Sequence, residues 1–168
     1  MVDWVTRTET AADVVAIRDI TASAFDTTAE ADLVDALRSD PAWIDGLSLV
    51  AATPAGEVVG HALLTRCHVD EVPALCLAPC SVRPDHQRTG AGTAAINAAL
   101  AAARSMGEAF VIVLGHPGYY PRFGFRRASE AGIHLTIKVP DEALMALTLD
   151  QARRLPAGTV RYAAPFGL

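Results

Sequence analysis

The segment Gln87-Arg88-Thr89-Gly90-Ala91-Gly92-Thr93 constrains this chain most. It follows an apolar run, Ala74 to Val82, and precedes an alanine-rich run that ends near Ser105. A strand that turns through glycines into a helix leaves the first helical amides unpaired and pointing outward. Glycine lets the backbone curl and approach a ligand closely. The partial positive charge at a helix N-terminus favours anions such as phosphate, and Arg88 adds a cation beside it. The turn reads as an anion site, or as a helix start that happens to contain glycine. It lacks the Gly-Lys-Ser/Thr end of a P-loop and the Gly-x-Gly-x-x-Gly of a dinucleotide turn, which disfavours a nucleoside-triphosphate site.

The surrounding pattern predicts an α/β (α+β) fold of one domain over residues 1–168. Trp4 to Thr8 reads as a short strand. A helix is predicted from Ala11 to about Ala24, with Val14, Ile17, Ile20 and Ala24 on one face, and a second from Ala29 to Arg38. Leu47 to Ala52, Glu57 to His68 and Ala74 to Val82 read as a meander of three strands, with Thr53-Pro54-Ala55-Gly56 as its first turn. The alanine-rich helix runs from Gly90 to about Ser105 and stops at Gly107. Phe110 to Leu114 reads as a strand, and Gly115 to Phe125 as a tight loop with a short helix. Ile133 to Val139 is predicted as a strand, Pro140 to Leu147 as a helix opened by proline, and Thr159 to Ala163 as a last strand.

Composition narrows the function classes. A net charge of −5 argues against nucleic-acid binding. Cys67, Cys76 and Cys80 form no paired Cys-x-x-Cys pattern, and an odd number with no leader-like apolar stretch suggests reduced thiols in the cytoplasm. His61, His68, His86 and His134 show no helical pairing, so no metal is indicated. Thr89 to Ala103, the longest run without charge, is too short and too weakly apolar to cross a bilayer, so no membrane role is expected.

The segment Val82-Arg83-Pro84-Asp85-His86-Gln87-Arg88-Thr89-Gly90-Ala91-Gly92 resembles the signature of the GNAT acetyltransferases. Tyr120-Pro121-Arg122-Phe123-Gly124-Phe125 resembles the Tyr-x-x-x-Gly-Phe segment of the same family, and Leu114 to Phe125 is similar to a bacterial YhbS-like branch. The resemblance implies a mixed, mostly antiparallel central sheet with one splayed pair of strands and helices on both faces. It implies that Cys80, Ser81 and Val82 lie along the pantetheine arm of acetyl-CoA. Gln87, Arg88, Thr89, Gly90, Ala91, Gly92 and Thr93 would hold its pyrophosphate.

The same resemblance makes Tyr120 the general acid that protonates the leaving thiolate, with Tyr119 as its alternate. His116 is a candidate for proton relay or pantetheine contact. The general base is unassigned, because Ala74 to Val82 carries no carboxylate and the Leu114–Tyr120 connection lacks the family's common asparagine. Asp26, Glu30, Asp70 and Glu71 read as solvated charges, with the lining of an acceptor pocket as the alternative, and an acyl intermediate on Cys80 is the minor reading. The expected activity is acetyl transfer from acetyl-CoA to a primary amine of a small molecule or protein. The alternative is a non-catalytic acyl-CoA-binding or sensing module. The acceptor is unidentified at this level, and a homodimer is expected by family analogy alone.

Overall fold

The computed structural model describes residues 3–168. A central sheet is built from β1 (Val5–Thr8), β2 (Ser48–Ala52), β3 (Val58–Val69), β4 (Val72–Val82) and β5 (Phe110–Leu114), followed by β8 (Leu144–Thr148) and β6 (Arg126–Arg127). Every neighbouring pair along that path is antiparallel except β4 with β5. A short strand, β9 (Gly158–Arg161), joins β3 at His68 and Val69, beyond the part of β3 that β2 covers, and β7 (Ile133–His134) pairs with β9.

Side chains alternate across each strand, and both faces of the sheet are covered. Helix α3 (Ala91–Ser105) packs on one face. Ala91, Ala95, Ala99 and Ala103 repeat at a spacing of one turn and, with Ile96 and Leu100, form its buried stripe. Burying Ile96 and Leu100 contributes about 1.5–3 kcal/mol each. They meet Ala62, Leu64, Leu75, Leu77, Val111 and Val113. The opposite parity, including Leu63, Cys76, Phe110 and Ile112, faces the other side. There α1 (Val14–Phe25) and α2 (Ala29–Arg38) cover one end of the sheet, and the chain after β6 covers the other.

One irregularity positions the site. β3 and β4 pair Ala62 with Cys80 and Leu64 with Leu77, so Ala78 and Pro79 together oppose Leu63. That extra residue is a bulge, which bends and twists its strand, and Pro79 has no N–H to donate. β4 pairs with β5 only at Leu75–Val111 and Cys76–Ile112. Beyond that point the two parallel strands separate, and among the described residues Cys80, Ser81 and Val82 have no strand partner on the β5 side.

Three expectations change. The helix expected over Pro140 to Leu147 is a 3-10 turn, Asp141–Ala143, followed by strand β8. Leu144 and Ala146 enter one core and Met145 and Leu147 the other, so pairing with β5 overrides the helix-forming composition. The strand expected over Ile133 to Val139 is regular only at Ile133–His134. The first helix begins as a 3-10 turn, Ala11–Asp13, where the Asp13 carboxylate accepts the Thr10 backbone N–H at 2.7 Å and pairs with Arg7.

Candidate active site

The glycine turn is held open by its own conformation and by the N-terminal segment. Gly90 precedes α3 with φ +90°, and Arg88 is also left-handed at +64°. The Trp4 indole N–H donates to the Thr89 carbonyl at 3.1 Å, and the Trp4 ring meets His86 edge-on. The Thr89 hydroxyl donates to the His86 carbonyl, and the Gln87 amide donates to the Val82 carbonyl at 3.3 Å. Arg83, which precedes the turn, is committed to Glu57 and Asp85.

A cavity of about 460 Å³ opens at this turn, lined by Gln87, Arg88, Gly90, Gly92 and Thr93, with Val82, Tyr119 and Arg122 across from them. The Thr93 hydroxyl lies 3.0 Å from the Tyr119 hydroxyl. The Arg122 guanidinium stacks 4.3 Å over the Tyr119 ring and donates to the Tyr119 carbonyl at 2.9 Å. Two guanidiniums, Arg88 and Arg122, therefore line a cavity at the positive end of α3, an arrangement suited to a phosphate-bearing ligand. Ala91 is buried beneath it, so its side chain does not line the cavity.

A narrower slot of about 250 Å³ continues along β4, lined by Cys80, Ser81, Val82, Tyr119, Tyr120 and the end of α1 at Ala24 and Phe25. Val82, Gln87, Gly92 and Tyr119 line both spaces, so the cavity and the slot form one recess. The Ser81 hydroxyl is 3.2 Å from that of Thr21, which donates to the Ile17 carbonyl at 2.7 Å. Ser81 is thus bonded to α1 through its side chain.

Tyr120 stands in this slot with Cys80. Burial, reinforced by Cys80, lifts the Tyr120 hydroxyl well above the usual phenol range. Burial pushes the Cys80 thiol up to about 12, against a smaller lowering by its bond to Tyr120. Both groups are protonated at neutral pH. A thiol in that state is a poor nucleophile, which disfavours an acyl-cysteine. The Tyr120 ring lies directly against Gly115, where an added Cβ would be 2.5 Å from Tyr120 Cε2.

His116 is not brought into the slot. Its carbonyl accepts the N–H groups of Tyr119 and Tyr120 at 3.1 and 3.4 Å. The residue lines a separate cavity of about 410 Å³ with Leu114, Pro117, Val139 and Pro140, beyond Gly115. Asp70 is structural: it accepts the Thr159 N–H at 2.9 Å. Sequence reading missed Trp4, Thr21 and Arg122. Only Arg122 carried a local signal, as a cation three residues after Tyr119 in the aromatic motif.

Comparison with known proteins gives consistent results. Residues 14–125 match the model of the Acetyltransferase (GNAT) family. The chain is 35% identical over 157 residues to the uncharacterized N-acetyltransferase YjhQ of Escherichia coli K12, covering 89% of this chain and 86% of that protein. The crystal structure of YhbS from Escherichia coli in complex with CoA superposes with a TM-score of 0.91 at 26% identity, covering 100% of this chain and 94% of that one. A GNAT family acetyltransferase from Brucella melitensis in complex with acetyl-CoA has a TM-score of 0.80 at 30% identity, with 99% of each chain covered.

Proposed function

Since the chain belongs to the acetyltransferase (GNAT) family, we propose that it is a bacterial, cytoplasmic N-acetyltransferase that moves an acetyl group from acetyl-CoA to a primary amine. The carrying observation is the continuous recess from the glycine turn to the Cys80–Tyr120 slot. The diphosphate of acetyl-CoA fits the α3 N-terminus between Arg88 and Arg122. The pantetheine amides fit the free edge of β4 at Cys80 to Val82, as an added strand would. The CoA and acetyl-CoA complexes of the Escherichia coli and Brucella relatives support this assignment. No helix of the described residues is long and apolar enough to cross a membrane.

In the reaction the neutral amine nitrogen bonds to the thioester carbon, and the carbon–sulfur bond breaks. Tyr120 gives its proton to the departing thiolate. The nitrogen then loses a proton to solvent, and water returns a proton to Tyr120. Burial keeps the Tyr120 phenol protonated at neutral pH, so its proton is available to the departing thiolate. Positioned proton transfer contributes on the order of 10²–10⁴ in rate.

Thiol release tests the reading. Purified protein with acetyl-CoA and a panel of primary amines should liberate free CoA. Tyr120→Phe should lower kcat by about 10²-fold while CoA still binds. Tight CoA binding without thiol release from any amine would identify a binding module instead.

A further inference from the structure

With the cosubstrate in the recess at α3, as proposed above, the face opposite α3 is left for the acceptor. Strand parity identifies what lies on that face. Val111 and Val113 of β5 face the α3 core, whereas Phe110 and Ile112 face the other side. Leu114 continues the second parity, yet it is 42% exposed. Val139 packs on the same face.

Leu114 lines a cavity there, and Ile137 lines the neighbouring one, which shares Val139 with it. Of seven large apolar side chains exposed among the described residues, Phe25 (39%), Leu114 and Ile137 (44%) border the slot or the cavities beyond β5. The cavity of about 410 Å³ beside Leu114 is walled by Pro117, Val139, Pro140 and Ala143, with Glu142 its one carboxylate and His116 its one other titratable group. Only Gly115 separates it from the ring of Tyr120. The cavity therefore lies one residue away from the ring of the proposed proton donor. A polycationic acceptor would need several carboxylates to compensate its desolvated charges, and this lining offers one.

Resting on the N-acetyltransferase reading above, we propose that the acceptor is a primary monoamine carried on an apolar alkyl or aryl body. The body lies against Leu114, Val139 and Pro140, and the amino group reaches around Gly115 to the thioester.

A homologous series of n-alkylamines, from propylamine to octylamine, tests this with thiol release as the readout. Each added methylene that is buried should raise kcat/KM about fourfold, until the cavity is full. A diaminoalkane of the same length should be the poorer substrate, because its second ammonium would sit among apolar groups. Leu114→Ser should flatten the dependence on chain length while CoA affinity, read by calorimetry, stays unchanged. Values of kcat/KM that ignore chain length, or that favour the diamines, would overturn the apolar acceptor and leave the acetyltransferase standing. Binding of CoA with no thiol released from any amine would overturn both.

Discussion

His61 should by itself make this fold lose stability in mild acid. The residue lies on β3 with no exposed surface. Its Nε2 is 2.7 Å from the Ser48 hydroxyl, which is bonded to the Glu9 carboxylate, and Glu9 pairs with Arg38. A carboxylate only accepts, so Ser48 donates to Glu9 and accepts from His61. This fixes the neutral tautomer with its proton on Nε2. Nδ1 is buried without a partner among the described residues. Burial, and then the charge of Arg38, hold the imidazole down to about 3. The unfolded chain takes up that proton near pH 6.5. Between those two values the unfolded state binds a proton that the folded state refuses, so stability is present above about pH 6.5 and falls as the pH drops. The slope approaches about 1.4 kcal/mol per pH unit, or about 2 kcal/mol between pH 6.5 and pH 4.5. Urea unfolding of wild type and His61→Gln across that range isolates the effect, because glutamine reaches Ser48 but does not titrate. The stability of wild type relative to the variant should fall by about 2 kcal/mol over the range. A difference that stays constant with pH would refute the reasoning.

The remaining predictions concern the recess. Gly115→Ala should push Tyr120 aside, since the new Cβ would sit 2.5 Å from Tyr120 Cε2; kcat should fall in steady-state assays while the Kd for CoA holds. At Gly92 a Cβ would already lie 3.0 Å from Val82 Cγ2, so Gly92→Val should narrow the recess and weaken CoA by about tenfold or more in calorimetry. Gly90→Ala meets a different obstacle, its φ of +90°, and should cost about 1–2 kcal/mol in urea unfolding. Trp4→Phe removes the donor to the Thr89 carbonyl, worth about 1 kcal/mol, and should weaken CoA severalfold by loosening the turn.

Local features made part of this fold legible. The helix over Ala29–Arg38 has an apolar stripe, acidic residues in its first turn and Arg38 in its last, and the structure keeps those bounds. The strand Phe110–Leu114 is bounded by Gly107 and Gly115 and is likewise unchanged. β8 was illegible because its sequence argues locally for the other state. Pro140-Asp141-Glu142 is a helix opening, and Ala143-Leu144-Met145-Ala146-Leu147 are helix formers. Its identity as a strand comes from β5, paired through Phe110–Thr148 to Leu114–Leu144. Burial on both faces removes the alternation that would have marked it.

The site divides along the same line. The glycine turn could be read because its chemistry is contiguous: flexible backbone, unpaired amides and Arg88 within seven residues. Trp4 could not, since it acts on Thr89 from 85 residues away. His116 and Tyr120 are close in sequence, yet they line different spaces. Alternation along β5 aims Leu114 at the face opposite α3, and Gly115 lets the chain fold back so that Tyr120 packs on the α3 side. In the proposed reaction, Tyr120 as proton donor and the cavity beside Leu114 as acceptor site would stand on opposite sides of one glycine. The amine would then approach the carbonyl carbon from one side while the sulfur it displaces takes its proton on the other.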